Sequence, residues 1–362
     1  MSATNPASGS ETEKFSGTMP VAERQRFDEN ALTAYLSEHV DGFKGPLTVR
    51  QFRGGQSNPT FRLETPGRHY VMRSKPGPVA KLLPSAHAIE REYRLLSALA
   101  DTDVPTAKVY ALCEDESVIG RAFYIMECVD GRILWDQHLP DMTPAQRADI
   151  YDEMNRVIAT LHQVDVEAVG LGDFGRPGNY FARQIGRWSK QYLASETEPI
   201  DAMHQLIAWL PEHIPDSEGS SIVHGDYRLD NMVFHPTEPR VLAVLDWELA
   251  TIGHPLADFS YNCMSWHIAP GKFRGIAGLD HASLGIPSEQ DYIAAYCRRT
   301  GREGIEHWDF YIAYNMFRLA AILQGIAKRV LDGTAASDRG AEAGERARPL
   351  AEQAWQIVQR IA

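Results

Sequence analysis

The hydrophobic pattern of this chain changes near residue 130, and this change constrains the fold more than any other feature of the sequence. Before it, short runs rich in β-branched and aromatic residues are separated by Gly/Pro turns, which is typical of strands. These runs occupy residues 47–52, 60–65, 69–73, 109–114 and 123–127. Between them, the segment 86–100 places Ile89, Leu96 and Leu99 at the spacing of an amphipathic helix. The first part of the chain is therefore predicted to form a sheet with one main helix.

After residue 130 the pattern is that of long helices. Thr143, Pro144 and Gln146 have the types of an N-cap, a first helical residue and a capping-box partner, so they predict a helix that runs to His162. Further helices are predicted at residues 180–193, 202–210, 290–299 and 307–330, and short β-like runs at residues 232–234 and 241–245. A loop over residues 333–346 is expected before a last helix, whose apolar stripe is Trp355, Val358 and Ile361.

These patterns predict an α+β fold with two lobes. Residues 1–20 lack apolar periodicity and are expected to be a flexible leader. Residues 21–127 form the predicted β-rich lobe, and residues 128–362 the larger, mostly helical one. We expect the two lobes to meet at a ligand-binding cleft.

Charge and apolar patterning exclude several kinds of partner. The chain has 36 basic and 48 acidic residues, a net charge of −12, which disfavours a broad surface for nucleic acid or an anionic membrane. It has no apolar run of the roughly 18 residues that a membrane span needs, and no apolar segment near its start. The four cysteines, Cys113, Cys128, Cys263 and Cys297, lack the paired spacing of zinc or redox sites. A cytoplasmic location is therefore predicted, while the oligomeric state is not.

Residues 222–234 contain the densest group of polar residues in the sequence, with a short apolar run on each side of the group. The group contains His224, Asp226 and Asn231, and an apolar strand ending at Asp246 follows fifteen residues after Asn231. Phosphoryl transfer needs such a set: one carboxylate orients and accepts the proton of the attacking hydroxyl. An amide oxygen and a second carboxylate hold the magnesium that bridges the nucleotide phosphates.

With these motifs, the sequence resembles the aminoglycoside phosphotransferase-like family, relatives of protein kinases that phosphorylate small-molecule hydroxyls. The resemblance covers roughly residues 42–324. It implies a two-lobed protein-kinase-like fold that uses ATP and Mg²⁺. It also implies Asp226 as the catalytic base and Asn231 and Asp246 as the magnesium ligands.

Two further segments fit nucleotide binding. Gly54, Gly55, Ser57 and Asn58 lie between two predicted strands, where small residues let backbone N–H groups approach phosphates, although an ordinary hairpin turn explains the glycines equally well. The junction at residues 124–129 resembles the kinase hinge. That resemblance implies that Glu127 and Val129 contribute backbone groups to the adenine edge.

A cation on the third predicted strand is the next candidate. Arg73 stands where the family places a basic residue that contacts the α/β-phosphates, with Lys75 as the alternative. The expected ion-pair partner of this cation on the helix is Glu92, and Glu90 is the second candidate. Kinases usually have Lys at this position, but the guanidinium fork also suits paired phosphate oxygens.

Several residues have a catalytic and a structural interpretation side by side. Arg228 either steadies the transferring phosphoryl group or forms a surface ion pair. His224 is expected to hold its turn, and Asp258 to brace the loop through backbone N–H groups. The remaining candidates are Glu248 as a further metal ligand, His254, Trp266 and His267 as acceptor-pocket or packing residues, and Arg318 as an inward-facing cation.

The leading interpretation is an ATP-dependent small-molecule O-kinase. Residues 225–231 and 318–322 most resemble kinase-like domains fused to acyl-CoA dehydrogenases, which favours a hydroxyacyl or related acceptor; an aminoglycoside is the alternative. A metal-dependent hydrolase would instead use His224, Asp226, Asp246 and His254 as ligands. A degenerate kinase acting as a binding module is the non-enzymatic alternative.

Overall fold

The structure is a computed structural model that describes residues 17–53, 58–76, 88–176, 178–216, 219–271, 274–333 and 340–361. Residues 340–343 are described by their backbone only. The chain divides into two compact units. The first comprises the chain through Trp135 together with Leu229–Glu248, and the second comprises Asp136–Arg228 and the chain from Leu249. This division differs from the contiguous lobes expected from the sequence, because residues 229–248 return to the first unit.

The first unit contains a six-stranded antiparallel sheet. Its strands are β1 (Thr18–Met19), β2 (Thr48–Phe52), β3 (Thr60–Glu64), β4 (His69–Ser74), β5 (Val109–Cys113) and β6 (Phe123–Glu127), in the order β1-β2-β3-β4-β6-β5. Strand β1 pairs with β2, so the residues expected to be a leader include part of the sheet. The predicted strands from residue 47 to residue 127 are confirmed to within a residue at each end.

Two helices belong to the first unit, α1 (Glu29–His39) and α2 (Ile89–Leu99). Helix α2 was predicted, but α1 was not. Asp28 caps α1 by accepting hydrogen bonds from the backbone N–H groups of Asn30 and Ala31. Leu32 and Leu36, one turn apart, bury its apolar side against the sheet core.

A short hairpin completes this unit. Its strands are β8 (Met232–Phe234) and β9 (Val241–Val244), with Met232 opposite Val244. A bridge from Thr106 to Val244 and another from Arg132 to Phe234 join the hairpin to the rest of the unit. These backbone contacts explain why the hairpin groups with residues that precede it by about a hundred positions.

The second unit is mostly helical. Its helices are α3 (Pro144–His162), α4 (Tyr180–Ser195), α5 (Asp201–Trp209), α6 (Pro255–Cys263), α7 (His281–Leu284), α8 (Glu289–Thr300), α9 (Trp308–Leu331) and α10 (Gly340–Val358). Strands β7 (Ser221–Val223) and β10 (Thr251–Gly253) pair antiparallel beside them. The capping box at the start of α3 is confirmed, since Thr143 and Gln146 exchange hydrogen bonds between side chain and backbone.

The end of the chain differs from the sequence prediction. Helix α10 begins at Gly340, inside the segment expected to be a loop. Its buried residues include Leu350 and Ile357, whereas Trp355 is half-buried and Ile361 is exposed. The predicted stripe was therefore wrong except at Val358, which is fully buried.

Two other observations concern the cysteines and membrane-spanning helices. The four cysteines form no disulfide, and three of them are buried. Among the described residues, no helix has both the length and the apolar character required to cross a membrane.

Candidate active site

Asn231 and Asp246 lie at the same end of the β8–β9 hairpin, directly before β8 and two residues after β9. The backbone N–H of Leu245 donates to the carbonyl of Asn231 at 2.8 Å, which continues the pairing by one step. Asp246 adopts a left-handed conformation, with φ of 64°. Non-glycine residues in this region are uncommon and are enriched at functional sites. The antiparallel register thus brings the two predicted magnesium ligands to one end of a hairpin.

Arg73 on β4 is surrounded by three carboxylates. Its Nε lies 3.0 Å from Oε2 of Glu92, and its Nη2 lies 2.7 Å from Oδ1 of Asp246 and 3.1 Å from Oε2 of Glu248. The side chain of Glu92 is only 3% exposed. Its two oxygens also accept hydrogen bonds from Asn58 Nδ2 and the Tyr124 hydroxyl, each at 3.1 Å.

The electrostatics of this cluster follow from its burial. Burial raises the pKa of Glu92 to about 7, and the charges of Asp246 and Glu248 add to the rise, while Arg73 opposes it. Burial alone would lower the pKa of Arg73, but the charges of Glu92 and Asp246 outweigh it and raise that pKa. The guanidinium therefore remains charged.

The sequence left open which cation pairs with which helix glutamate. The structure pairs Arg73 with Glu92 and Lys75 with Glu90. Both members of the second pair are more than a quarter exposed. Arg73 is therefore the cation that joins the helix glutamate to the predicted metal ligand.

In the second unit, Asp258 on α6 fixes the backbone of the loop that carries Asp226. Its Oδ2 accepts from the N–H of His224 at 2.7 Å, and its Oδ1 accepts from the N–H of Gly225 at 2.8 Å. Oδ2 also lies 3.3 Å from Nε2 of the buried His162. Burial alone would raise the pKa of Asp258, but the interactions with His162 and His224 outweigh it and lower that pKa. The bracing role predicted for Asp258 is thus present in the geometry.

Gly225 is held from a second side. The Nη2 of Arg318 on α9 donates to its carbonyl at 2.7 Å, and the Arg318 guanidinium lies 5.3 Å from the ring centre of Tyr261. Gly225 has φ of 83°, and a Cβ there would meet Leu249 at 3.0 Å, so only glycine suits this position. Arg318, the candidate inward-facing cation, thus supports the loop.

The carboxylate of Asp226 is held by two side chains. The Tyr261 hydroxyl donates to Oδ1 at 2.6 Å, and Arg228 Nη2 lies 3.2 Å from Oδ2. Burial, and then the charge of Asp226, raises the pKa of Tyr261, so its hydroxyl stays protonated and remains a donor. His224 accepts from the N–H of Asp226 through Nδ1 at 3.2 Å, which is a turn-holding role.

A small cavity is present in the second unit. Its volume is about 30 Å³. It is lined by Gln137, Tyr227, Arg228, Tyr261, Asn262, Met264, Ser265, Ile268 and Arg274. Arg228 and Tyr261, the two residues that bind the Asp226 carboxylate, are both in its wall.

The other predicted site residues have different surroundings. Gly54, Gly55 and Ser57 lie outside the described residues. Glu127 ends β6 with an exposed side chain, and its N–H donates to the carbonyl of Lys108 at 2.7 Å; Val129 is half-buried.

The residues with a pocket or packing alternative all make structural contacts. His254 Nδ1 accepts from the N–H of Leu256 and so caps α6. Trp266 Nε1 donates to the carbonyl of Pro287 at 3.0 Å, and His267 Nε2 lies 2.8 Å from Glu289 Oε1. The packing interpretation accounts for each of them.

The strand-rich unit with its arginine–glutamate pair and the helical unit with its braced aspartate loop define the class of protein. The chain has a two-lobed protein-kinase-like α+β fold. Residues 48–314 match the model of the phosphotransferase enzyme family, and the chain therefore belongs to that family. The resemblance stated from the sequence is confirmed.

Solved structures include one similar chain and more distant ones. The crystal structure of a Ralstonia eutropha JMP134 protein, provisionally described as an aminoglycoside phosphotransferase, is 66% identical, with a TM-score of 0.86 over 92% of this chain and 99% of that one. A thermostable mutant of aminoglycoside phosphotransferase APH(4)-Ia, in a ternary complex with ADP and hygromycin B, is 14% identical, with a TM-score of 0.59 over 91% of this chain and 98% of that one. The second likeness shows the fold alone.

The curated relatives are longer proteins. Acyl-CoA dehydrogenase family member 10 of Mus musculus is 45% identical over 345 residues, which are 94% of this chain and 32% of the relative. The chain thus spans about a third of that relative's length. The expected likeness to kinase-like domains fused to acyl-CoA dehydrogenases is confirmed.

Proposed function

We propose that this protein is an ATP-dependent O-kinase that transfers the γ-phosphoryl group to a hydroxyl of a small molecule. The observation that carries the proposal is the carboxylate of Asp226, fixed by Tyr261 and Arg228 on a loop whose backbone Asp258 anchors. A carboxylate held in one orientation can align an acceptor hydroxyl and take its proton. The nucleotide complex of the fold neighbour that contains ADP supports a nucleotide as the donor.

The donor atoms of Asn231 and Asp246 fit magnesium, which prefers carboxylate and amide oxygens. When bound there, the ion would neutralise the phosphate charge of the nucleotide. Arg73 supplies a permanent positive charge that Glu92 orients, and we assign it to the nucleotide phosphates. Asn58 fixes Glu92 in turn, so its predicted part in nucleotide binding is indirect.

The hydrolase alternative is less well supported. His224 and His254 each use Nδ1 to accept a backbone N–H, which is a structural use of the imidazole. Within the described ranges, no group of three or more His, Cys, Asp or Glu side chains is arranged to hold a metal ion. The kinase mechanism gives a role to Arg73, Glu92 and Asn231, whereas the hydrolase mechanism gives them none.

The decisive variant is Asp226→Asn, which keeps the shape of the side chain and removes its basicity. Purified protein is incubated with MgATP or MgGTP and a panel of hydroxy acids, hydroxyacyl thioesters, choline and aminoglycosides, and phosphorylated products are detected by mass spectrometry. General-base removal is expected to lower the rate by about 10²–10⁴-fold. Binding of magnesium nucleotide, measured by calorimetry, should be retained.

The matched control is Asp216→Asn, which makes the same change at an exposed aspartate of the second unit. It should keep the wild-type rate. A normal rate in Asp226→Asn would contradict the mechanism, and the absence of any phosphorylated product with wild-type protein would favour the binding-module alternative.

The cytoplasmic location of the protein remains a prediction from its sequence.

A further inference from the structure

Helix α3 ends at His162, and the imidazole of this residue contacts two other helices of the second unit. Its Nε2 lies 3.3 Å from Oδ2 of Asp258 on α6, and its Nδ1 lies 2.8 Å from the hydroxyl of Tyr296 on α8. The side chains of His162 and Asp258 are 2% and 0% exposed. Both ring nitrogens therefore make buried contacts, and the proposed transfer mechanism gives the ring no role so far.

The partners of the ring decide which nitrogen carries the hydrogen. An ionised carboxylate can only accept hydrogen bonds, so Nε2 of His162 is the donor to Asp258. Burial raises the pKa of Tyr296, so its hydroxyl stays protonated and can donate to Nδ1 of the neutral ring. The ring of Tyr296 stacks on Phe259 at a centroid distance of 3.9 Å, which restricts its movement. The imidazole is thus oriented to present an N–H group to Asp258.

Asp258 is bound by three N–H donors. His162 and the backbone of His224 donate to Oδ2, and the backbone of Gly225 donates to Oδ1. Burial alone would raise the pKa of Asp258, and the hydrogen bond from His162 is the strongest of the interactions that lower it. Rotation of an aspartate carboxylate about its Cβ–Cγ bond is soft. The donor from α3 therefore ties the plane of this carboxylate to a helix outside the loop.

The position of Asp226 depends on the same carboxylate. His224, whose N–H donates to Asp258, accepts the N–H of Asp226 through its own Nδ1 at 3.2 Å. A shift of the backbone at residues 224 and 225 therefore moves the residue that follows. A misplacement of about 1 Å can lower the rate of a reaction by about a hundredfold.

We propose that His162 is a positioning residue for phosphoryl transfer: through Asp258 it fixes the backbone before Asp226, and so the carboxylate that takes the acceptor proton. The inference rests on the proposed function. The N–H of Nε2 makes the contact that matters, and Tyr296 keeps the ring in the orientation that this contact needs.

Two substitutions separate the contact with Asp258 from the polarity of the side chain. The amide nitrogen of glutamine can take the position of Nε2, whereas that of asparagine is one bond shorter and reaches only the position of Nδ1. We expect His162→Asn to lower kcat by about 10- to 100-fold and to leave the KM for nucleotide unchanged. His162→Gln keeps the donor to Asp258, so its kcat should stay within about threefold of the wild-type value.

Hydrogen exchange followed by mass spectrometry on peptides that cover residues 222–228 gives a readout that does not need turnover. In His162→Asn, the N–H groups of His224 and Gly225 should exchange faster than in wild-type protein. Peptides from α5 and α10 should keep their protection, which shows that the variant has folded. In His162→Gln, the protection of the loop should match that of the wild-type protein.

The matched control is His204→Asn. Nε2 of His204 lies 2.7 Å from Oε1 of Glu196, which is also a histidine–carboxylate contact, but the His204 side chain is 45% exposed. This control should leave kcat and the protection of the loop unchanged. A wild-type kcat in His162→Asn overturns the inference. An equal loss of kcat in His162→Asn and His162→Gln also overturns it, because the donor to Asp258 would then make no difference.

The two readouts separate the inference from the proposed function. If wild-type protein phosphorylates no acceptor, but loop protection is lost in His162→Asn and kept in His162→Gln, the proposed function fails and the positioning of the loop stands. If wild-type protein and both variants form product at the same rate with the same loop exchange, the proposed function stands and the inference fails. Loss of kcat and of loop protection in His162→Asn alone supports both.

Discussion

Asp258 should be one of the most sensitive positions in the second unit. It is 2% exposed, and its two oxygens accept the backbone N–H groups of His224 and Gly225. Asp258→Asn keeps the volume but replaces one acceptor oxygen with an NH₂ group. That group would face a backbone N–H, so one buried donor loses its partner, and the negative charge beside His162 is lost.

The cost can be worked from these contacts. A buried donor left without a partner costs about 1–3 kcal/mol, and a hydrogen bond to a charged group contributes about 1.5–3 kcal/mol. Because the asparagine keeps one of the two backbone contacts, we expect a loss of about 2–4 kcal/mol of unfolding free energy. With a urea slope of about 2 kcal/mol per molar, the unfolding midpoint falls by about 1–2 M.

The dependence on pH has a definite sign. The pKa of Asp258 is lowered in the folded protein, so its ionised form stabilises the fold above the ordinary value of 3.8, and that stabilisation is lost as the pH falls through the folded pKa. Asparagine does not titrate. The gap in stability between the wild-type protein and Asp258→Asn should therefore be full at pH 7 and should narrow below pH 3.8.

Urea unfolding followed by tryptophan fluorescence at pH 7, and at steps down to about pH 3, measures this gap. Asp216→Asn, the exposed control, should change stability by less than about 0.5 kcal/mol. A loss in Asp258→Asn as small as that of the control would refute the proposed bracing. A gap that stays constant across the acid range would refute the assignment of an ionised, hydrogen-bonded carboxylate.

Three further substitutions test the remaining contacts. Glu92→Gln removes the most buried partner of Arg73 but leaves Asp246 and Glu248 in place, and it should cost about 1–3 kcal/mol in urea unfolding. Glu90→Gln breaks an exposed pair and should cost less than about 1 kcal/mol. Equal effects would mean that burial does not distinguish the two pairs. Tyr261→Phe removes the hydroxyl that holds Asp226 and should lower kcat by roughly tenfold to a hundredfold while leaving the KM for nucleotide unchanged. A rise in that KM with normal kcat would contradict the positioning role of Tyr261.

The parts of the site that could be predicted from the sequence are those set by local pattern. Asn231 and Asp246 flank two short strands, so pairing of those strands is enough to bring them together. Arg73 and Glu92 follow from a strand and an amphipathic helix that pack in one unit. The capping box of α3 depends on four consecutive residues, and such local signals are the most dependable.

The missed residues depend on packing between distant segments. Tyr261 binds a carboxylate 35 residues away, and His162 contacts Asp258 across 96 residues. Neither has a spacing that identifies it, because a tyrosine or a histidine on a helix has many structural uses. Helix α1 was missed for another reason: only Leu32 and Leu36 are fully buried in it, too few for a clear period.

The return of residues 229–248 to the first unit has a consequence for synthesis of the protein. The ribosome completes α3, α4 and α5 before it makes the hairpin whose Val244 and Phe234 join the earlier segments at Thr106 and Arg132. Domains generally fold as units while the chain emerges, the N-terminal one first. Here the first unit stays unfinished until residue 248 has emerged, so its folding must wait for part of the second unit to be translated.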